Sequence, residues 1–125
     1  MTASPLEVVL CSSDLMLLAR VDGAVRAAQG TLHTVSAADE AVARATALRP
    51  HLAIVDLRLA GLDVTATVAG LRAALGSATY IAACGPHVHE ALLAAAQAAG
   101  CDEVLTRGQI DRDVAGLLAR SQHRA

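Results

Sequence analysis

The chain alternates, from one end to the other, between short apolar runs of strand length and longer runs in which apolar residues recur at helical spacing. Glu7–Cys11 (EVVLC), Leu32–Val35, Leu52–Asp56 (LAIVD), Tyr80–Ala83 and Glu103–Thr106 (EVLT) are the strand-like runs. Between them Leu17, Val21, Val25 and Ala28 form one helical stripe, followed by Val42, Ala45 and Leu48, by Val64, Val68, Leu71 and Leu75, by Leu92, Ala96 and Ala99, and by Val114, Leu117 and Leu118. Five strands alternating with five helices are predicted. Gly30, Gly76 and Gly100 stand where helices should stop, Pro50 follows another, and Asp14, Ser36, Asp63 and Asp111 stand where N-caps are expected.

Near-continuous apolar strands joined by helices imply a parallel sheet covered on both faces, because each crossover helix must bury its stripe against the sheet. The predicted fold is α/β, flavodoxin-like and doubly wound, with strand order 2-1-3-4-5. Sites in such folds gather at the carboxyl ends of the strands, near the switch point between strands 1 and 3. Asp56 ends strand 3 and belongs there. At 125 residues the chain fits one domain, 1–125, with a polar tail (SQHRA) from about residue 121.

Composition narrows the function classes. With no Phe or Trp and one Tyr, there is almost nothing for a base or a flavin ring to stack on. A net charge of −2, with acids and Arg scattered, argues against nucleic-acid and anionic-membrane surfaces. All 10 basic residues are Arg, so Schiff-base chemistry is excluded. No apolar stretch approaches the roughly 20 residues of a bilayer span, and the N-terminus lacks a signal-peptide layout, which predicts a cytoplasmic protein. Cys11, Cys84 and Cys101 form no CxxC. Cys11 and Cys84 end strands separated by strand 3, roughly 9–10 Å apart, beyond disulfide reach. The segment "CGPHVHE" collects Cys84, His87, His89 and Glu90, but His87 and His89 cannot face one ion from the same helix. A Gly-Pro turn opening a helix is the simpler reading. No P-loop, GxGxxG or nucleophile motif is present, and no enzymatic activity is predicted.

The run Pro50-His51-Leu52-Ala53-Ile54-Val55-Asp56-Leu57 with Gly61-Leu62-Asp63 resembles the phosphoacceptor strand and loop of response-regulator receiver domains, the stand-alone chemotaxis-regulator type in particular. The segment "HEALLAAAQAAGCDEVLTR" resembles their fourth helix and fifth strand. The resemblance implies Asp56 as the phosphoacceptor equivalent. It also implies partners that are absent here. Ser12 and Ser13 occupy the positions of the acidic pair that holds Mg²⁺ with the acceptor, and hydroxyls bring no charge to a hard dication. Ala82–Gly85 supplies no hydroxyl after strand 4. Arg107 stands at the lysine, Val104 at the aromatic switch, Gly108 at the proline after the lysine, Ala60 at a loop proline and Val64 at a loop glycine.

The resemblance therefore implies an atypical receiver acting through protein contact, with no cofactor and with weak or absent Mg²⁺ binding. Two further readings stay open: a working phosphoacceptor regulator using Asp56, and a flavodoxin-like small-molecule or metal-binding module. Asp14, Cys84 and Arg107 are the other candidate pocket residues. Arg107 is expected to pair with Asp56, directly or through a water, and Asp14 to cap the first helix. The expected contact surface, for a partner protein or a second copy, is the face of the fourth helix, fifth strand and fifth helix, where Ala94 and Ala98 are expected to be exposed beside Gln97.

Overall fold

Every residue of Leu52–Asp56 is buried, and this strand forms the centre of a five-stranded parallel sheet. The computed structural model describes residues 5–123. Its elements are β1 Glu7–Cys11, α1 Leu15–Ala27, β2 Thr31–Val35, a 3₁₀ turn Ala38–Glu40, α2 Ala41–Leu48, β3 Leu52–Asp56, α3 Val64–Leu75, β4 Tyr80–Gly85, α4 Glu90–Ala99, β5 Glu103–Thr106, α5 Arg107–Arg112 and α6 Val114–Gln122. The strand order is β2-β1-β3-β4-β5, as the alternation predicts.

Strand pleating divides the core into two layers. Val8, Leu10, Leu52, Ile54, Ala82 and Cys84 face α1 and α6, where they meet Leu17, Val21, Val25, Leu117 and Leu118. Val55, Ile81 and Ala83 point the other way, onto Val68, Leu71 and Leu75 of α3 and Ala96 of α4. Val9, Cys11 and Val35 close the second layer against Ala41 of α2. Of the predicted inner stripe of α4 only Ala96 is fully buried; Leu92 and Ala99 are half-buried.

Asp14 and Asp63 cap their helices as expected, and Gly76 and Gly100 end theirs at positive φ. Other boundaries differ from the sequence reading. Gln29, with φ 60°, takes the left-handed position after α1, and Gly30 is required one residue later because a Cβ there would lie 2.8 Å from the Leu6 carbonyl oxygen. Ser36 caps nothing: the chain enters α2 through the 3₁₀ turn, whose N-cap is Ala37.

The fifth helix is two helices. Thr106 and Gln109 form a capping box that starts α5 at Arg107. Asp113 then leaves helical geometry and caps α6 with its own carboxylate, so the cap assigned to Asp111 belongs to Asp113. The polar tail also starts later than 121. Ser121 is buried, with its hydroxyl on the Leu118 carbonyl, and α6 runs to Gln122. Residues 124 and 125 of that tail lie outside the described residues.

Candidate functional site

β1 and β3 end side by side, so the loops that follow them face each other across the carboxyl edge of the sheet. The chain leaves β1 through Ser12, whose N–H is held by the Val35 carbonyl at 3.0 Å and whose side chain is completely buried. Asp56, the last residue of β3, is only 7 % exposed. Between them runs a short hydrogen bond: Ser12 Oγ donates to Asp56 Oδ2 at 2.6 Å. The Arg58 N–H donates to Asp56 Oδ1 at 3.0 Å. Both carboxylate oxygens thus have donors from within the chain. Ser12 Oγ in turn accepts the Asp14 N–H at 3.0 Å, which leaves the hydroxyl proton for the carboxylate.

Asp14 divides its two oxygens between separate tasks. Oδ1 accepts the Met16 and Leu17 N–H groups and caps α1; Oδ2 accepts Arg107 Nη1 at 2.5 Å. Arg107 reaches that position because the capping box aims the first turn of α5 back toward α1, and its Nε donates to Asp111 one helical turn on, at 3.2 Å. Arg20 of α1 closes the group with a hydrogen bond to the Asp111 carbonyl at 3.3 Å. The guanidinium beside Asp14 holds that carboxyl below the ordinary carboxylate range, and the same pair holds Arg107 more firmly protonated. A direct Arg107–Asp56 pair does not form. Asp14 is nearer the first turn of α5 and takes the guanidinium, while Asp56 has a hydroxyl as its partner.

Cys84 lies directly across from Asp56 in the β3–β4 register and is buried on the same face. Burial first, and the Asp56 charge second, push its thiol up to about 12. Burial alone pushes Cys11 up to about 11, so both remain protonated and unreactive at neutral pH. Ser13 is exposed and takes no part in the group. His87, His89 and Glu90 are exposed on the turn and first residue before and within α4, apart from the buried Cys84. Among the described residues no group of three or more His, Cys, Asp or Glu is arranged to share a metal ion.

The structure therefore assembles Ser12, Asp14, Asp56, Cys84 and Arg107 at one sheet edge. Asp111 and Arg20 are additions that sequence reasoning missed; the Arg107/Asp111 i,i+4 spacing was the available signal. On α4, Ala91, Ala94, Ala98 and Gln97 are exposed, while Ala95 and Ala99 are half-buried.

Solved structures with this layout are numerous. The signal receiver domain of an HD domain-containing protein from Pseudomonas fluorescens Pf-5 superposes with a TM-score of 0.85 at 20 % identity, over 99 % of this chain and 92 % of that one. The fold is that of a receiver domain. The receiver domain of the sensor histidine kinase PA1611 from Pseudomonas aeruginosa PAO1, with a magnesium ion coordinated in its active-site cleft, superposes at 0.80 and 18 % identity, over 94 % and 97 % of the two chains. The chemotaxis response regulator CheY4 of Vibrio cholerae does so at 0.78 and 17 %, over 94 % and 99 %. No family model and no curated protein sequence matches the chain. In this receiver fold Asp56 ends the third strand. Among the described residues no helix is long and apolar enough to cross a membrane.

Proposed function

We propose that this chain is an atypical single-domain receiver of two-component signalling that works by protein contact, without conventional Mg²⁺-dependent aspartyl phosphorylation. The observation that carries the reading is the Ser12–Asp56 hydrogen bond: a neutral hydroxyl stands where a dication needs charge, and it already occupies the carboxylate. The neighbouring cation, Arg107, is committed to Asp14 and Asp111 and is not left to receive a phosphoryl oxygen. The protein is not an enzyme on this reading, takes no cofactor and acts in the cytoplasm. Its contact surface is the face of α4, β5 and α6. The exposed Ala94 and Ala98 let a partner helix, or a second copy of the chain, approach closely.

Asp56 itself favours a second reading, a working phosphoacceptor, because a carboxylate at a buried strand end is what that chemistry uses. Incubation with acetyl phosphate and Mg²⁺, followed by intact mass measurement, separates the two. The first reading expects an unmodified chain; phosphate on wild type and none on Asp56→Asn establishes the second. Glutamates at Ala94 and Ala98 together test the contact face: association with a partner or copy is expected to be lost, and unchanged association removes α4 from the proposal.

A further inference from the structure

The receiver fold implies a magnesium ion at the carboxyl edge of the sheet, and the donor set of this chain does not fit one. A dication shared with Asp56 needs further anionic oxygens, since Mg²⁺ gives up its water shell reluctantly. Asp14 is the nearest other carboxylate in the β1–α1 loop, and both its oxygens are engaged, one by two amides of α1 and one by Arg107. Ser13 is exposed, and Ser12 carries no charge.

Resting on the functional reading above, we infer that the Ser12 hydroxyl stands in for the cation: it is a positioning residue that ties Asp56 to the β1–α1 loop and keeps a dication out. The geometry gives the tie a fixed polarity. The Asp14 N–H donates to Ser12 Oγ, Ser12 Oγ–H donates to Asp56 Oδ2, and the Arg58 N–H donates to the other carboxylate oxygen, so the one hydroxyl proton is committed to Asp56. A metal at Oδ2 displaces the hydroxyl proton. Ser12 is fully buried, and swinging it away strips the Asp14 N–H of its acceptor. In receivers the ion joins these two loops by coordination; here one proton joins them permanently.

The test uses the full chain and MgCl₂, with thermal midpoint and amide hydrogen exchange as readouts. Wild type is expected to melt at the same temperature with Mg²⁺ or with chelator. Ser12→Asp places a second carboxylate beside Asp56 and is expected to melt lower in chelator and to regain about 4 °C or more in Mg²⁺. Ser12→Ala is expected to speed exchange of the Asp14 and Arg58 amides about tenfold, with Ser12→Thr restoring protection. A wild-type midpoint raised by Mg²⁺ through Asp56 overturns the inference, as does a folded Ser12→Asp that ignores the ion. If Ser12→Asp fails to fold, the exchange experiment decides: unchanged Asp14 and Arg58 protection in Ser12→Ala overturns the tie. The inference fails alone when wild type refuses phosphate yet Ser12→Asp ignores Mg²⁺. The functional reading fails alone when wild type is phosphorylated without any need for Mg²⁺ while Ser12→Asp gains the ion.

Discussion

The two edges of the sheet are sewn together by different kinds of bond. At the amino edge, Arg72 of α3 reaches across to the β4 and β5 approaches. Its guanidinium donates to the Gly100, Gly76 and Thr79 carbonyls and to Asp102 Oδ2, the last at 2.7 Å, while Asp102 also accepts the Ile81 N–H at 2.8 Å. Thr79 adds a buried bond to the Pro50 carbonyl at 2.7 Å. One side chain there gathers main-chain groups from several turns. At the carboxyl edge the links pass one at a time between side chains, from Asp56 to Ser12 and from Asp14 to Arg107 to Asp111. The amino edge is consequently a stability device whose loss is costly. The carboxyl edge is a set of single bonds, so a substitution there is expected to cost less than the loss of Arg72.

The sharpest way to break this contrast is Arg72→Met. It removes the guanidinium from three carbonyls and the counter-charge from a largely buried Asp102, and a loss of about 3 kcal/mol in urea unfolding is expected. A loss no larger than that of Ser12→Ala would erase the distinction between the edges. Ser12→Ala removes a charge-assisted bond from a buried carboxylate and the acceptor of the Asp14 N–H, and is expected to cost about 1–3 kcal/mol in the same assay. A double-mutant cycle with Asp56→Ala assigns that cost to the pair rather than to the cavity left behind.

Asp14→Asn comes next, because asparagine keeps an oxygen for the α1 cap and replaces the charged oxygen facing Arg107 with an uncharged amide nitrogen. Both partners are about a third exposed, so solvent screens the pair and about 0.5 kcal/mol is expected. The sign follows from the Asp14 carboxyl being held low in the folded chain. Its contribution is fully present above the unfolded carboxylate pKa and disappears as pH falls through the lower folded value. The stability difference between wild type and Asp14→Asn should therefore shrink on acidification and with added salt; a difference constant from neutral pH into the acid range contradicts the pairing. The smallest effect belongs to the double glutamate substitution at the exposed Ala94 and Ala98, where thermal unfolding of the monomer should change by less than about 0.5 kcal/mol. A larger loss places these alanines in the core of the fold and not on its contact face.

Much of this architecture was legible before any coordinates. Five strands and the position of Asp56 at a buried strand end follow from periodicity, and the handedness of βαβ connections leaves few strand orders, of which the expected flavodoxin-like one is found. The capping roles of Asp14 and Asp63 follow from local chemistry in the same way. Where the reading missed, two local solutions competed. Asp111 and Asp113 are both plausible caps, and the outcome turned on Asp111 lying inside α5, where Arg107 one turn back and Arg20 of α1 pair with it.

What the sequence alone determined is therefore what short-range pattern sets, the alternating elements and the parallel sheet with Asp56 at its site edge; the resemblance to receivers added the expectation of an acidic pair where Ser12 and Ser13 stand. Only the tertiary structure decided who pairs with whom. Ser12 and Asp56 are 44 residues apart, and Asp14 and Arg107 are 93 apart. An arginine at the end of a strand can reach several carboxylates, and which one it takes depends on the turn of α5 that aims it. Here that turn brings the guanidinium to Asp14 Oδ2, while Asp56 accepts from Arg58 and Ser12.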